Sequence, residues 1–321
     1  KGIKGFNIQT VSSDPPAPFA GEVWYNSTSA TVKYFAVLTG SWATGGNLGT
    51  GRYNLGGVGT QTAGLAFGGG PSVPSVGNLT EEYNGSAWTG GGNLTTSRES
   101  LAGAGTQTTG LAFGGRSAPP RQSLNATEEY NGSSWTNGGN LGTARYFLAG
   151  AGTQTAGLAF GGAGPSPTNA TEEYGGTSWT AGGNLGTAKS ALAGVGTQTA
   201  GLAIGGSPGG SNETNASEEY DGSSWTAGGT MNTAIRYLAG CGLQTAALAF
   251  GGLGNSIPTQ TEEYDGSSWT TGGNLNIARL RLGGAGTQTA GLGFGGQAPP
   301  DKNATEEYTG GGPTTLTVGT D

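Results

Sequence analysis

NLGTARYFLAGAGTQTAGLAFGG, from Asn140 to Gly162, followed by TEEYGGTSW from Thr171 to Trp179, is the stretch whose reading decides the fold of this 321-residue chain. The block recurs six times, with its Gly-Thr-Gln-Thr turn or a near variant beginning at Gly59, Gly105, Gly152, Gly196, Gly242 and Gly286. A period of about 45 residues holding several short apolar runs, with no helical pattern, is the mark of a blade array. Each unit reads as four antiparallel strands separated by turn chemistry.

The first strand, of the Leu148–Gly152 type, carries only small side chains and suits the crowded inner edge of a blade. In the second, Gly157–Phe160, period-two alternation puts Leu158 and Phe160 on one face, where they fill the space between blades. The Gly161-Gly162 doublet ends that strand. Glu172, Glu173 and Tyr174 lie on the third, and a tight turn leads into the fourth at Trp179. Asn-Gly and Asp-Gly at Asn84, Asn131, Asp221 and Asp265 are strong hairpin signals. The tyrosines Tyr83, Tyr130, Tyr174, Tyr220 and Tyr264 and the tryptophans Trp88, Trp135, Trp179, Trp225 and Trp269 are the bulky wedges that glycine-rich inner strands cannot supply.

Composition fits a folded repeat protein. The chain has 69 glycines, but they are locked to fixed places in each unit. The net charge of −7 comes mostly with the scaffold, because six Glu-Glu pairs hold over half of the 20 acidic residues. No cluster of Lys and Arg suits a phosphate backbone, which excludes nucleic acid as an expected partner. No apolar run reaches the length of a membrane span, and no signal peptide is visible. The chain opens at Lys1 without a methionine, which leaves room for preceding residues. The lone Cys241 stands where other copies have Ala104 or Ala151, so it reads as a small buried residue.

The order of arginine, small apolar strand, Gly-Gly, then tyrosine and tryptophan at fixed distances resembles a Kelch-type β-propeller. In the third unit the pattern is Arg145, Gly161-Gly162, Tyr174 and Trp179, and the resemblance spans roughly residues 32 to 308. Arg52, Arg98 and Arg279 hold the same place elsewhere. Lys189 replaces the arginine in the fourth unit, Ile235 in the fifth with Arg236 one place later, and the last unit has no tryptophan. The orphan Gly40-Ser41-Trp42 near the N-terminus supplies the missing wedge if Trp42 adds the outer strand of the sixth blade. The expectation is an all-β fold: a Kelch-like propeller of six four-stranded blades closed by an N-terminal strand. Seven blades remain the alternative, with Glu22 to Phe35 as a hairpin joined by Thr314 to Val318. The expected domains are an arm and hairpin at 1–35, the propeller at 36–313 and a C-terminal strand at 314–321.

Catalytic constellations are wanting. The copper oxidases among Kelch-type propellers need histidine and a cysteine cross-linked to tyrosine; this chain has no histidine and one cysteine. Zinc ligation is equally unsupported, and no cofactor is expected. Paired glutamates invite a glycosidase reading, yet neighbours on a strand point to opposite faces and six copies argue for scaffolding. One glutamate of each pair is expected to satisfy buried donors, with the arginine that opens the repeat as its partner, and Ile235 makes the fifth unit the test. Asp-Gly-Ser-Ser-Trp at Asp221 and Asp265 faintly resembles the Asp-box turn of sialidases, with the wrong spacing and no arginine triad. Asn-X-Ser/Thr sequons such as Asn169 and Asn303 mean glycosylation only after passage through a suitable secretory pathway.

The copies differ most between the second and third strands, in loops 70–79, 116–126, 163–170, 207–216, 253–260 and 297–304. Such loops emerge on one face of a meander, and variable loops on a rigid scaffold build binding surfaces, although exposed loops also drift without function. Arg116, Arg121, Asn169, Ser207, Asn212, Gln297, Asp301 and Lys302 are the candidate ligand contacts there. Pro119, Pro120, Pro299 and Pro300 stiffen two of the loops.

Residues 1–35 fall outside the repeat. Ser12-Ser13-Asp14-Pro15-Pro16, then Gly21 to Thr28 and Val32-Lys33-Tyr34, resemble a segment at the front of structural proteins of marine bacteriophages, notably cyanophage-like ones, and the near-verbatim Kelch units do too. That resemblance implies a non-enzymatic virion protein of the tail or tail fibre. It would be held to other virion proteins by its arm, homo-oligomeric in the particle, and would display the propeller to a host-surface glycan or protein. The alternatives are a capsid, neck or tail decoration without host contact, a bacterial extracellular adhesin or filament subunit, and, weakest, a glycan-acting enzyme.

Overall fold

The computed structural model describes residues 8–18, 20–70, 77–210, 212–298 and 302–318. All regular secondary structure among them is β-strand, arranged in seven four-stranded sheets. The chain divides into two compact units, Lys1–Gly40 with Gly310–Asp321, and Ser41–Thr309.

The larger unit holds the six repeat sheets, each antiparallel. In the third repeat the strands are Ala149–Gly152, Gly157–Phe160, Thr171–Tyr174 and Trp179–Ala181, hydrogen-bonded in chain order. The first strand of each repeat packs against the first strands of two neighbours, and Gly56–Thr60 of the first repeat packs against Gly283–Gly286 of the sixth. Small residues are a requirement there: a Cβ on Gly150 would lie 2.5 Å from the Gly103 carbonyl oxygen and 2.6 Å from Phe113. Gly161 has φ of +62°, and a Cβ would meet the Lys189 carbonyl at 2.7 Å, so the doublet's first glycine is fixed both by conformation and by space.

In the sixth sheet, Thr305–Thr309 pairs antiparallel with Ser41–Thr44, Tyr308 opposite Trp42. The N-terminal strand thus takes the outer place that Trp179–Ala181 takes in the third repeat. Trp42 is buried, its ring 5.0 Å from Tyr308 and 4.8 Å from Phe250 of the fifth repeat. Trp88, Trp135, Trp179 and Trp225 make the same contact with Phe294, Phe67, Phe113 and Phe160.

Three bonds are repeated at each junction between sheets. The indole Nε1 of Trp42, Trp88, Trp135, Trp179 and Trp225 donates to a threonine hydroxyl at the start of the neighbour's third strand, and Trp269 uses Ser217 and the Gly229 carbonyl. The tyrosine hydroxyl donates to the second glutamate of the neighbouring pair, as Tyr130 to Glu82 at 2.5 Å and Tyr83 of the first repeat to Glu307 of the sixth at 2.5 Å. The turn glutamine donates to two neighbouring carbonyls, as Gln107 to Gly64 and Tyr83, and Gln61 to Gly291 and Tyr308. The near-verbatim residues are therefore consumed by the scaffold.

Burial, reinforced by the glutamate each hydroxyl bonds, pushes Tyr83, Tyr130, Tyr174 and Tyr220 up to about 12 and raises Tyr264 and Tyr308 in the same direction. A phenol whose folded pKa is raised contributes stability that is complete below its ordinary value near 10 and is lost as pH climbs through about 12. An alkaline titration followed by tyrosinate absorbance should show these six ionising late and together with loss of β-sheet circular dichroism. Early ionisation without unfolding would contradict the junction geometry.

The smaller unit is a mixed sheet. Gln9–Val11 runs parallel to Val23–Asn26, which forms a hairpin with Thr31–Leu38, and Gly312–Thr317 from the other end of the chain completes it. Trp24 is fully buried, and Asp14 accepts from its indole at 3.1 Å, from Asn26 at 2.7 Å and from Lys33 at 2.8 Å. This sheet has none of the repeat residues.

Candidate functional site

Between the leucine of each repeat and the buried residue that opens it, arginine in four repeats, Lys189 in the fourth and Ile235 in the fifth, stand two variable residues. The second of them is Asn54, Ser100, Phe147, Ala191, Tyr237 and Arg281 in turn. All six sit in the left-handed region, with φ between 51° and 59°. Their backbones are joined in a circuit: each amide donates to the carbonyl of its counterpart in the preceding repeat at 2.8 to 2.9 Å, and Asn54 donates to Arg281, returning the circuit to its start.

Left-handed backbone costs a non-glycine residue roughly 1 kcal/mol or more. Glycine would relieve that cost, and this chain has 69 glycines, yet none occupies these positions. The side chains they carry stand on a backbone conformation that favours glycine.

With the six leucines Leu55, Leu101, Leu148, Leu192, Leu238 and Leu282 beneath, the circuit lines a small open bowl of about 80 Å3. That is below the size of an enclosing ligand pocket, about 300 to 1,000 Å3, so the bowl can seat only part of a ligand. Ala191, the smallest member, lets Phe147 and Tyr237 meet across it, ring centroids 5.0 Å apart. The Arg281 guanidinium lies 4.5 Å from the Tyr237 ring centre, a cation–π contact, and its Nη1 donates to Gln297 Oε1 at 3.0 Å. Arg116 lies 5.1 Å from Tyr146 and 5.2 Å from Phe147, and its Nε donates to Glu99 at 2.8 Å. The Ser100 hydroxyl is buried and makes no hydrogen bond.

The variable loops start beside this bowl. Single bridges join Tyr53 to Gly70, Glu99 to Arg116, Tyr146 to Ala163, Ser190 to Ser207, Arg236 to Leu253 and Leu280 to Gln297. Of the candidate contacts read from sequence, Arg116 and Gln297 reach the bowl, and Arg121 reaches Glu99 at 3.7 Å. Ser207 is buried at the base of its loop, bonded to Ser190 and capping the Gly209 amide. Asn212 is exposed farther along that loop. Asn169 belongs to the scaffold, its amide donating to the Leu185 carbonyl at 3.2 Å as Asn78, Asn125 and Asn215 do in theirs. Lys302 is held by its backbone between Gly296 and Arg52. Asp301, Pro299 and Pro300 lie outside the described residues.

The residues that open the repeats behave as buried ion pairs. Arg52, Arg98, Arg145 and Arg279 pair with Glu81, Glu128, Glu172 and Glu306 at 2.9 to 3.1 Å, and Lys189 pairs with Glu218 at 2.9 Å. Burial pushes the Arg98 and Arg279 guanidinium groups down to about 10, opposed by their glutamates. In the fifth repeat, Gln260 Nε2 donates to Glu262 at 2.7 Å in place of the missing arginine. The sequence marks this exchange: alone among the repeats, the fifth has glutamine before its third strand, where the others have Leu79 or alanine.

Cys241 is buried, its thiol pushed up to about 12 by desolvation, which makes it inert at neutral pH. Among the described residues no group of three His, Cys, Asp or Glu could hold a metal ion, and no helix is long and apolar enough to cross a membrane. No protein-family model matches the chain, and a search of curated proteins gave no match.

Proposed function

We propose that the six repeat sheets are the blades of a closed Kelch-like β-propeller, clasped by Ser41–Thr44, and that the chain is a bacteriophage virion protein of the tail or tail fibre. In this reading it acts without catalysis, presenting the bowl and its surrounding loops to a host-surface glycan or protein. Closure is supported by the bonds the first repeat makes to the sixth, Gln61 to Gly291 and Tyr308, Tyr83 to Glu307 and Asn54 to Arg281.

The observation that carries the binding reading is the segregation of residues. What repeats is spent on the scaffold; what differs gathers in the bowl and in the loops bridged to it, at a cost in backbone strain. The phage assignment rests on the resemblance of the Ser12–Tyr34 segment and of the Kelch units.

A structural decoration is the second reading, favoured by the exposed apolar residues Ile8, Val23, Leu38 and Val318 of the smaller unit, which would suit attachment to other virion proteins. Antibody labelling of intact particles separates the two. Label at the distal tail or fibre tips is the expected result, label spread over capsid or neck would favour decoration, and absence from particles would move the chain to a cellular adhesin.

A further inference from the structure

Arg281 stands apart from the other cations of this chain. Among the described residues, every arginine and lysine has a carboxylate within ion-pair distance except Arg281 and Lys302. Arg281 is half-buried in the bowl, stacked on Tyr237, with Nη1 on a neutral amide and a buried Nε that bonds nothing. A guanidinium removed from part of its water and given no anion is a site that gains from one, and its fork matches a carboxylate.

The remaining walls say what carries that carboxylate. All six backbone amides of the circuit are already spent on each other, so the bowl offers no free strand edge to which a peptide could add. It offers side chains instead. Phe147 and Tyr237 present half-buried rings against which the C–H face of a sugar can lie. At about 80 Å3 the open bowl takes one edge of a sugar, the rest of the ligand lying over its rim.

We propose that the bowl binds an acidic saccharide, holding the carboxylate of one sugar on Arg281 and its ring against Phe147 and Tyr237. This rests on the reading of that face as a binding face and deepens it by naming the ligand class.

The test is titration calorimetry of the full chain with four probes of similar length: oligogalacturonate, a neutral dextran oligomer, its sulfated form and oligoglutamate. Oligogalacturonate should bind at least about tenfold more tightly than the neutral oligomer. Arg281→Gln should weaken it by about tenfold or more, Arg281→Lys by an intermediate factor because the charge stays and the fork is lost, and Thr108→Gln, in the turn between the first two strands, by less than about twofold. Melting curves identify any variant that has not folded, and the lysine variant then carries the comparison. Equal binding of the neutral oligomer, indifferent to Arg281→Gln, would overturn the acidic site and leave the binding face standing. Preference for the sulfated oligomer would overturn the carboxylate, preference for oligoglutamate the saccharide, and no binding of any probe the whole assignment.

Discussion

Arg98→Ile should cost about 3 to 5 kcal/mol of stability, and adding Ala126→Gln should return more than half of it. The single change leaves Glu128, which has no exposed surface, without its guanidinium, and an unpaired buried charge is among the most expensive defects a core can hold. The fifth repeat already contains the remedy. There Ile235 stands in the arginine's place, and Gln260 donates to Glu262 while accepting from Thr233. Ala126 and Thr96 occupy the corresponding positions of the second repeat, so the introduced amide finds the same two partners. Urea unfolding of the wild type, single and double variants checks this. A double variant no more stable than the single would mean that the fifth repeat tolerates its isoleucine for some other reason.

Trp42→Ala should cost about 3 to 5 kcal/mol, as much as truncating a central core aromatic, although Trp42 lies far in sequence from the fifth and sixth repeats it packs on. Its ring packs on Phe250 and Tyr308, and its indole donates to Thr261 at 2.9 Å. The strand around it is the outer member of the sixth sheet, so removal of Ser41–Thr44 exposes the edge of Thr305–Thr309 as well. Thermal melting of both variants, with Trp24→Ala in the smaller unit for comparison, gives the readout. Melting of the Trp42→Ala chain unchanged from wild type would remove the clasp from the account.

The scaffold was legible because its physics recurs: six glycine doublets, six Glu-Glu-Tyr triplets and a tryptophan wedge announce the strands and their order. Even the clasp could be read, since the last repeat lacks a tryptophan and Trp42 lacks a repeat. The arginine–glutamate pairing followed from a buried position that wants a partner. The bowl was not legible. Its members, Asn54, Ser100, Phe147, Ala191, Tyr237 and Arg281, share no chemistry, and a left-handed φ leaves no trace in sequence once glycine is absent. The signal available was a pair of unlike residues between arginine and leucine inside an otherwise verbatim block. Asn169, a polar residue at a loop's end, gives its amide to the Leu185 carbonyl, a bond that composition alone does not announce.

The most direct test of the account is attachment of the purified full chain to host cells, measured for two sets of variants. One set replaces Phe147, Tyr237 and Arg281 with serine. The other replaces Thr62, Thr108 and Thr155, exposed residues of the turns between first and second strands, with lysine. The account predicts that the first set loses attachment by about tenfold or more while the second keeps it. Loss in the second set with attachment intact in the first would place the binding face elsewhere and contradict the account.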